Sequence, residues 1–347
     1  MDLAVPGTAT RYDALLVVSF GGPEGMDDVV PFMENVTRGR GIPRERLVEV
    51  SRHYALFDGV SPINGQNRAL VAALTAELAG AGIDLPVYWG NRNWDPLLAD
   101  TVAAMARDGV ERALAFVTSA YSSYSGCRQY REDVARACAE VGPVAPVIEK
   151  LRGFHDHPGF VEPNADNVRA ALERVPAARR DGTPIAFTAH SIPTSMADSS
   201  DYQAQLLEVC TLVASRLDGN HPWALVWQSR SGPPSQPWLE PDIVDHIEAL
   251  HAGGATDLVV APIGFVSDHM EVVYDLDTEA TGRAEELGLS LVRAATAGTD
   301  PRFVAMVREL VQEQLDPSAP RRALASGPRF DTCHPACCHG PTRPPRA

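Results

Sequence analysis

The stretch Leu258-Val-Val-Ala-Pro262-Ile-Gly264-Phe-Val-Ser-Asp268-His-Met-Glu271-Val-Val-Tyr-Asp275-Leu-Asp277 contains a complete change of secondary structure. Leu258 to Pro262 is a short apolar run, the pattern of a strand buried on both faces. The run breaks at Gly264, and a helical pattern starts near Asp268. On a helix, residues four apart stand one above the other, which stacks Glu271 on Asp275 and continues the row at Glu279. Three like charges on one face repel, so the row implies a cation or a proton path. A structural account competes with it: Asp268 and Glu271 are spaced as a capping box, in which both side chains satisfy open backbone N–H groups.

A second stretch has the same design. Pro184-Ile-Ala-Phe-Thr is an apolar strand, His190 follows at its carboxyl end, and Ser191-Ile-Pro193 stops it. In open parallel sheets, ligands gather outside the carboxyl ends of the strands, where a histidine is placed for acid–base or metal work. A lone histidine is more often structural. A histidine and a carboxylate row leaving neighbouring strand ends can instead converge on one cleft.

Working outward, apolar runs of strand length alternate with helical patterns, the signature of α/β layers with parallel sheets. The chain has 347 residues, 45% of them hydrophobic, enough for two domains of ordinary size with a large core. The changeover falls in the Gly-, Pro- and His-rich segment Arg152 to Pro163. The expected divisions are residues 1–160, residues 161–315 and a Pro/Arg/Ser-rich extension, residues 316–347. A formal charge of -15 argues against general nucleic-acid binding. No run approaches the ~20 apolar residues of a membrane helix. Met1 to Thr10 lacks the basic and apolar regions of a signal peptide, so a cytoplasmic location is expected.

Local features refine the picture. Tyr12 to Phe20 is a buried strand followed by Gly21-Gly22-Pro23, without the spacing of a dinucleotide-binding turn. Arg38, Arg40, Arg44, Arg46 and Arg52 crowd a segment punctuated by Gly and Pro. Such a basic loop in an acidic protein suits a polycarboxylate or phosphate, or is a solvated loop with local ion pairs. Ser61-Pro62-Ile63-Asn64 starts a long amphipathic helix. Hydroxyl groups cluster from Ser119 to Ser125 at another strand end. Of six cysteines, Cys138 and Cys210 read as buried thiols, whereas Cys333, Cys337 and Cys338 crowd the tail and suggest a metal.

Taken together, Ser19-Phe-Gly-Gly-Pro-Glu24, Tyr124-Ser-Gly-Cys127, Phe187-Thr-Ala-His-Ser-Ile-Pro193, Val226-Trp-Gln-Ser-Arg-Ser-Gly-Pro233 and Gly264-Phe-Val-Ser-Asp-His-Met-Glu271 with Tyr274-Asp-Leu-Asp277 resemble the ferrochelatases along nearly the whole chain. That resemblance implies two Rossmann-like domains of the chelatase type, with a porphyrin cleft between strand-end loops, and insertion of Fe(II) into a porphyrin. It implies His190 and Glu271 as the facing pair that carries catalysis and meets the incoming Fe(II), with Asp275 continuing the acidic path. Which member of the pair is base and which is iron ligand stays joint.

The resemblance is strongest to the enzymes of high-GC Gram-positive bacteria that act in haem biosynthesis on coproporphyrin III, with protoporphyrin IX the alternative. Four propionates need more partners than two. Phe20 would lie beside the macrocycle, and Arg38, Arg40, Arg52, His53, Tyr54, Ser61 and Tyr124 would supply the polar contacts. Family members with a C-terminal cysteine cluster hold a 2Fe–2S centre, and Cys127, Cys333, Cys337 and Cys338 match that arrangement. On spacing alone, zinc fits these thiols too. The competing functions are a non-catalytic porphyrin or haem carrier and a chelatase for cobalt or nickel. A downstream haem-pathway enzyme would be the partner for the product.

Overall fold

The structure is a computed structural model that describes residues 11–340 apart from 40, 233, 234, 326, 330, 332, 335 and 336. Eight strands are present among the described residues: β1 (Ala14–Ser19), β2 (Val87–Asn91), β3 (Arg112–Val117), β4 (Val147–Lys150), β5 (Ile185–His190), β6 (Trp223–Gln228), β7 (Asp257–Ala261) and β8 (Ser290–Arg293). They form two four-stranded sheets in the orders β2-β1-β3-β4 and β6-β5-β7-β8. Every pairing within them is parallel, so the expected α/β fold of two Rossmann-like halves is what the chain adopts.

Alternation along the central strands explains why these apolar runs become strands covered on both sides. In β1, Leu15 and Val17 face one apolar cluster while Ala14, Leu16 and Val18 face another. In β5 and β7, Phe187 and Val259 join the first of these clusters, whereas Ala186, Leu258 and Val260 face a third. One core layer is therefore shared by both sheets. Phe116, Phe154, Phe160 and Phe303 fill it with their rings 5.3–6.2 Å apart. The helix Pro301–Leu315, at the end of the second half, packs on the helices Pro62–Gly80 and Pro158–Glu173.

Several local expectations change. The passage between the halves is no exposed linker: Phe154, His155, Asp156, His157 and Phe160 are all buried. The following helix starts at Pro158, whose fixed φ suits a first helical turn, inside the segment read as the changeover. The basic loop is helical over Arg44–Ala55, because Arg, Glu, Leu and Val there sustain a helix once Pro43 has started it. β8 has no counterpart in the sequence reading, being a four-residue strand at the sheet edge. Two segments wind as π-helices, Tyr124–Arg128 after β3 and Val273–Ala280 after β7. Such wide turns collect at functional sites.

Candidate active site

The order β6-β5-β7-β8 places its reversal between β5 and β7. At the carboxyl ends of two such strands the connections leave in opposite directions and open a crevice. His190 is the last residue of β5, and the chain leaving β7 runs through Gly264 to Glu271. Gly264 brings the two ends together. Its N–H donates to the Thr188 carbonyl at 3.0 Å, and a Cβ there would stand 2.6 Å from the Cβ of Ala189. Any larger residue would push the acidic segment away from the His190 strand.

In that crevice His190 Nε2 lies 3.6 Å from Glu271 Oε2. Their side chains are 31% and 52% exposed, so both are open to a ligand. His190 Nδ1 is hydrogen bonded to the Ser191 carbonyl. A carbonyl only accepts, so Nδ1 carries a proton and the ring turns its Nε2 edge to Glu271 and the crevice. Tyr202 donates to the His190 carbonyl at 3.0 Å and fixes the strand end. His269 Nδ1 is 4.0 Å from Glu271, and burial holds its pKa below the usual value.

Glu271 belongs to the turn Met270–Val272, and Asp275 to the π-helix that follows it. Burial first, then the charges of Glu271 and Glu279, push the Asp275 carboxyl up to about 7, against hydrogen bonds from Ser229 and Gln228. The capping-box account does not hold. His269 is the N-cap, and no side chain caps the turn. Asp268 instead pairs with Arg293 at 3.1 Å, and the same guanidinium holds Asp277 through bonds of 2.6 and 2.9 Å. Arg293 thus grips the acidic segment on both sides of Glu271 and Asp275.

The first half supplies the opposite wall. Phe32 has Phe20, Tyr54 and Trp94 around it, with ring centroids 6.2–6.4 Å away. Burial, and then the charges of Glu271 and Asp275, push the Tyr54 phenol up, so this wall faces the acids. His53 stacks on Tyr274 of the π-helix at 4.2 Å and 6° between planes. Two bonds lock the walls: Tyr121 donates to the Ile263 carbonyl at 2.8 Å, and the Asp268 N–H donates to Gln66 at 2.9 Å. An aromatic cluster opposite a histidine–carboxylate pair suits a planar macrocycle whose centre must exchange protons for a metal.

The remaining residues singled out in the sequence fall into two groups. Ser61 is buried beside Gly22, whose added Cβ would meet the Ser61 side chain at 2.6 Å. Arg38 is exposed and donates to Asn35 at 2.6 Å, and Arg52 is exposed on the helix that carries His53 and Tyr54. Arg44 and Arg46 make surface ion pairs with Glu34 and Glu49, the solvated alternative for that segment. Arg40 lies outside the described residues. Tyr124 donates to Glu132 at 3.0 Å and sits against Gly340 of the tail, where a Cβ would meet its ring at 2.8 Å. Sequence reading missed Gln228, Ser229, Tyr274 and Arg293. The first two stand in Val226-Trp-Gln-Ser-Arg at the end of β6, a motif that carried the resemblance without a role attached.

The tail brings its cysteines to the first π-helix. Buried Cys127 lies beside Cys333, which lies beside Cys337, and Cys338 is close enough to feel the charges of Cys127 and Cys337. All are free thiols. Arg128 donates to the Cys337 carbonyl at 3.3 Å, and Ser199 donates to that of His339 at 3.4 Å. Cys333 and then burial push the Cys127 thiol well up, whereas Cys127 holds the Cys333 thiol below its usual value; Lys150, the one lysine of the chain, adds a smaller downward pull on both. The fold thus brings Cys127 and the three tail cysteines, some 200 residues apart in the chain, into one neighbourhood.

Two parallel sheets of one topology, meeting at a crevice with a histidine–carboxylate pair, define a chelatase-type α/β protein. In fold the chain is similar to SirB from Bacillus subtilis, at TM-score 0.55 and 11% identity over 90% of this chain and 99% of that one. It is similar also to DR2241 from Deinococcus radiodurans, at TM-score 0.52 and 15% identity over 92% of this chain and 57% of that one. The ferrochelatase family model matches residues 12–315, and the chain belongs to the ferrochelatase family. Its sequence is 57% identical to a coproporphyrin III ferrochelatase of Streptomyces coelicolor, over 97% of this chain and 96% of that protein. It is 55% identical to one of Nocardia farcinica, over 96% and 99%. A protein of Rhodopirellula baltica called simply ferrochelatase is 55% identical over 97% and 96%.

Proposed function

We propose that this chain inserts Fe(II) into coproporphyrin III to form its iron complex in haem biosynthesis. The observation that carries the reading is the crevice pair, His190 Nε2 facing Glu271 at 3.6 Å opposite the aromatic wall of Phe20, Phe32, Tyr54 and Trp94. Metallation removes two pyrrole N–H protons while the iron, which accepts N and O ligands, enters the ring. The lone pair on His190 Nε2 and the Glu271 carboxylate jointly take the proton and present the iron. Asp275, with a pKa near 7, is half-protonated at neutral pH and passes protons outward toward Glu279. Stacking on the aromatic wall holds the macrocycle and excludes water from its centre.

Phe20 lies against the ring in this reading, and Arg38, Arg40, Arg52, His53, Tyr54, Ser61 and Tyr124 are the propionate and rim contacts. Arg52 shares the helix Arg44–Ala55 with His53 and Tyr54 and is exposed there. Residues 1–160 and 161–315 act as the two walls, and residues 316–347 as an extension carrying cysteines. Cys127, Cys333, Cys337 and Cys338 would hold a 2Fe–2S centre, which supplies one-electron redox chemistry when bound. These thiols then pin the tail against the Tyr124–Cys127 segment. No helix among the described residues is long and apolar enough to cross a membrane, in keeping with work in the cytoplasm and release of the product to a following haem-pathway enzyme.

The deciding experiment is anaerobic Fe(II) insertion followed by absorbance, with coproporphyrin III and protoporphyrin IX in parallel. Faster turnover of coproporphyrin III is expected. Preference for protoporphyrin IX would keep the enzyme and overturn the substrate. Tight binding of either without insertion would make the chain a carrier.

A further inference from the structure

Away from the crevice and the four cysteines, the segment that joins the two halves buries a carboxyl group whose oxygens have no hydrogen-bond partner among the described residues. Asp156 has no exposed surface, and neither of its carboxylate oxygens has a hydrogen-bond partner among the described residues. His155 beside it is 1% exposed, and its Nδ1 likewise lacks a partner among them. His155 Nε2 lies 2.9 Å from Oε2 of Glu208. One ring nitrogen of His155, one oxygen of Asp156 and one oxygen of Glu208 all fall within 4.8 Å of one another.

Burying a carboxylate without a donor or counter-charge costs several kcal/mol, so this geometry calls for a compensating group. Burial also favours the neutral imidazole, holding His155 below its ordinary pKa against the pull of Asp156 and Glu208. Two carboxyl groups and an imidazole therefore face one another, with Arg329 as the nearby cation that also acts on His155. Imidazole nitrogen with carboxylate oxygens is the donor set of first-row divalent ions, and three protein ligands leave a position for water. Glu208, whose side chain is 24% exposed, gives a path from solvent.

We propose that His155, Asp156 and Glu208 hold a structural divalent metal ion of the zinc class, which ties the end of the first sheet to the second half. The ion joins three parts of the chain. His155 and Asp156 follow β4, Glu208 lies on the helix Tyr202–Ala214, and the Asp156 carbonyl accepts a 2.9 Å bond from the Leu324 N–H of the C-terminal segment. That helix also carries Tyr202, which holds the His190 carbonyl. The site is separate from iron insertion and stands whether or not the chain is a chelatase.

The test is anomalous diffraction at the zinc edge from crystals of the full chain equilibrated with Zn(II), beside thermal unfolding with and without Zn(II). A zinc peak is expected about 2.0–2.2 Å from a His155 ring nitrogen and from oxygens of Asp156 and Glu208. Asp156→Asn should remove that peak while any zinc bound at His190 and Glu271 persists. Zinc at about 100 times Kd should raise Tm by about 4 °C more in the parent than in Asp156→Asn. Glu208→Gln, at the exposed edge, gives the same comparison if Asp156→Asn does not fold. A peak without anomalous signal, meaning an ordered water, would overturn the proposal, as would equal zinc-induced Tm rises in the parent and the variants.

Discussion

In the first half the chain leaving β3 winds into a π-helix at Tyr124–Arg128, and in the second the chain leaving β7 winds into one at Val273–Ala280. The sheets around them have the same order, with β1 and β3 in one occupying the places of β5 and β7 in the other. What differs is the chemistry that the wide turn presents. The second places Asp275 behind a Glu271 that is open to the crevice, with Ser229 and Gln228 from the neighbouring strand end as hydrogen-bond donors. The first places Cys127 in a buried position where the tail thiols reach it. One scaffold position, used twice, carries a carboxylate in one half and a thiol in the other. The comparison teaches that the fold fixes where reactive groups emerge, while side chains fix what they do.

The largest expected effect tests that division directly. His190→Ala should lower Fe(II) insertion by about 10³-fold or more, since it removes one member of the proton-accepting pair. Coproporphyrin III binding, read by fluorescence quenching, should be nearly unchanged because the aromatic wall and rim are left in place. Equal loss of binding and insertion would show that His190 holds the fold of the crevice rather than its chemistry.

The next prediction asks whether the halves are independent at all. Arg152, after β4, is bound through two bonds of 2.7 and 2.8 Å to Glu313 on the helix that ends the second half, and both side chains are 1% exposed. Removing one partner leaves a buried charge uncompensated, which costs about 3–5 kcal/mol. Glu313→Gln should therefore move the urea midpoint strongly downward, with tryptophan fluorescence and circular dichroism still shifting together. Separate transitions for the two signals would mean that the halves unfold as two units despite their shared core.

Asp275→Asn sharpens the comparison at its chemical end. The folded carboxyl has a pKa of about 7 against an ordinary 3.8. Between those values the folded protein keeps a proton that the unfolded chain has released, so stability falls as pH rises through that window. The asparagine variant lacks this loss, and its Tm should exceed that of the parent at pH 8 by more than at pH 5. Insertion should drop by about 10-fold at neutral pH, within the usual range for a proton-transfer group. The pH–rate profile should also lose its inflection near 7. A profile identical to the parent's would remove Asp275 from the proton route.

These contrasts were unequally legible in the amino-acid sequence. The strands were, because runs such as Leu258 to Pro262 are apolar on both faces and bounded by breakers. The emergence of His190 and Glu271 from neighbouring strand ends was also legible, since parallel topology dictates where strand ends gather. The π-winding was not. A side-chain pattern spaced by four reads as an ordinary helix, and tertiary contacts such as Arg293 gripping Asp268 and Asp277 leave no mark in the local pattern. The buried polar joint at His155 and Asp156 was hidden for a related reason. His, Asp, Gly and Pro in a row look like an exposed boundary, and only the packing of helices from both halves puts them in the core.

The smallest expected effect falls on the sulfur side. Cys127→Ser should abolish the visible absorption of a thiolate-bound iron centre and loosen the tail, so that proteolysis beyond residue 316 quickens. Tm should fall by about 2–4 °C, the scale of one lost tether in a chain of this size. Fe(II) insertion in the same preparation should change little, because among the described residues the bonds and ion pairs of His190 and Glu271 involve no cysteine. A drop in insertion comparable to that of Asp275→Asn would mean that the two π-helices are coupled. The bonds from Tyr121 to Ile263 and from Gln66 to Asp268 would then be the links to sever next, since they join the first half to the segment that carries Glu271.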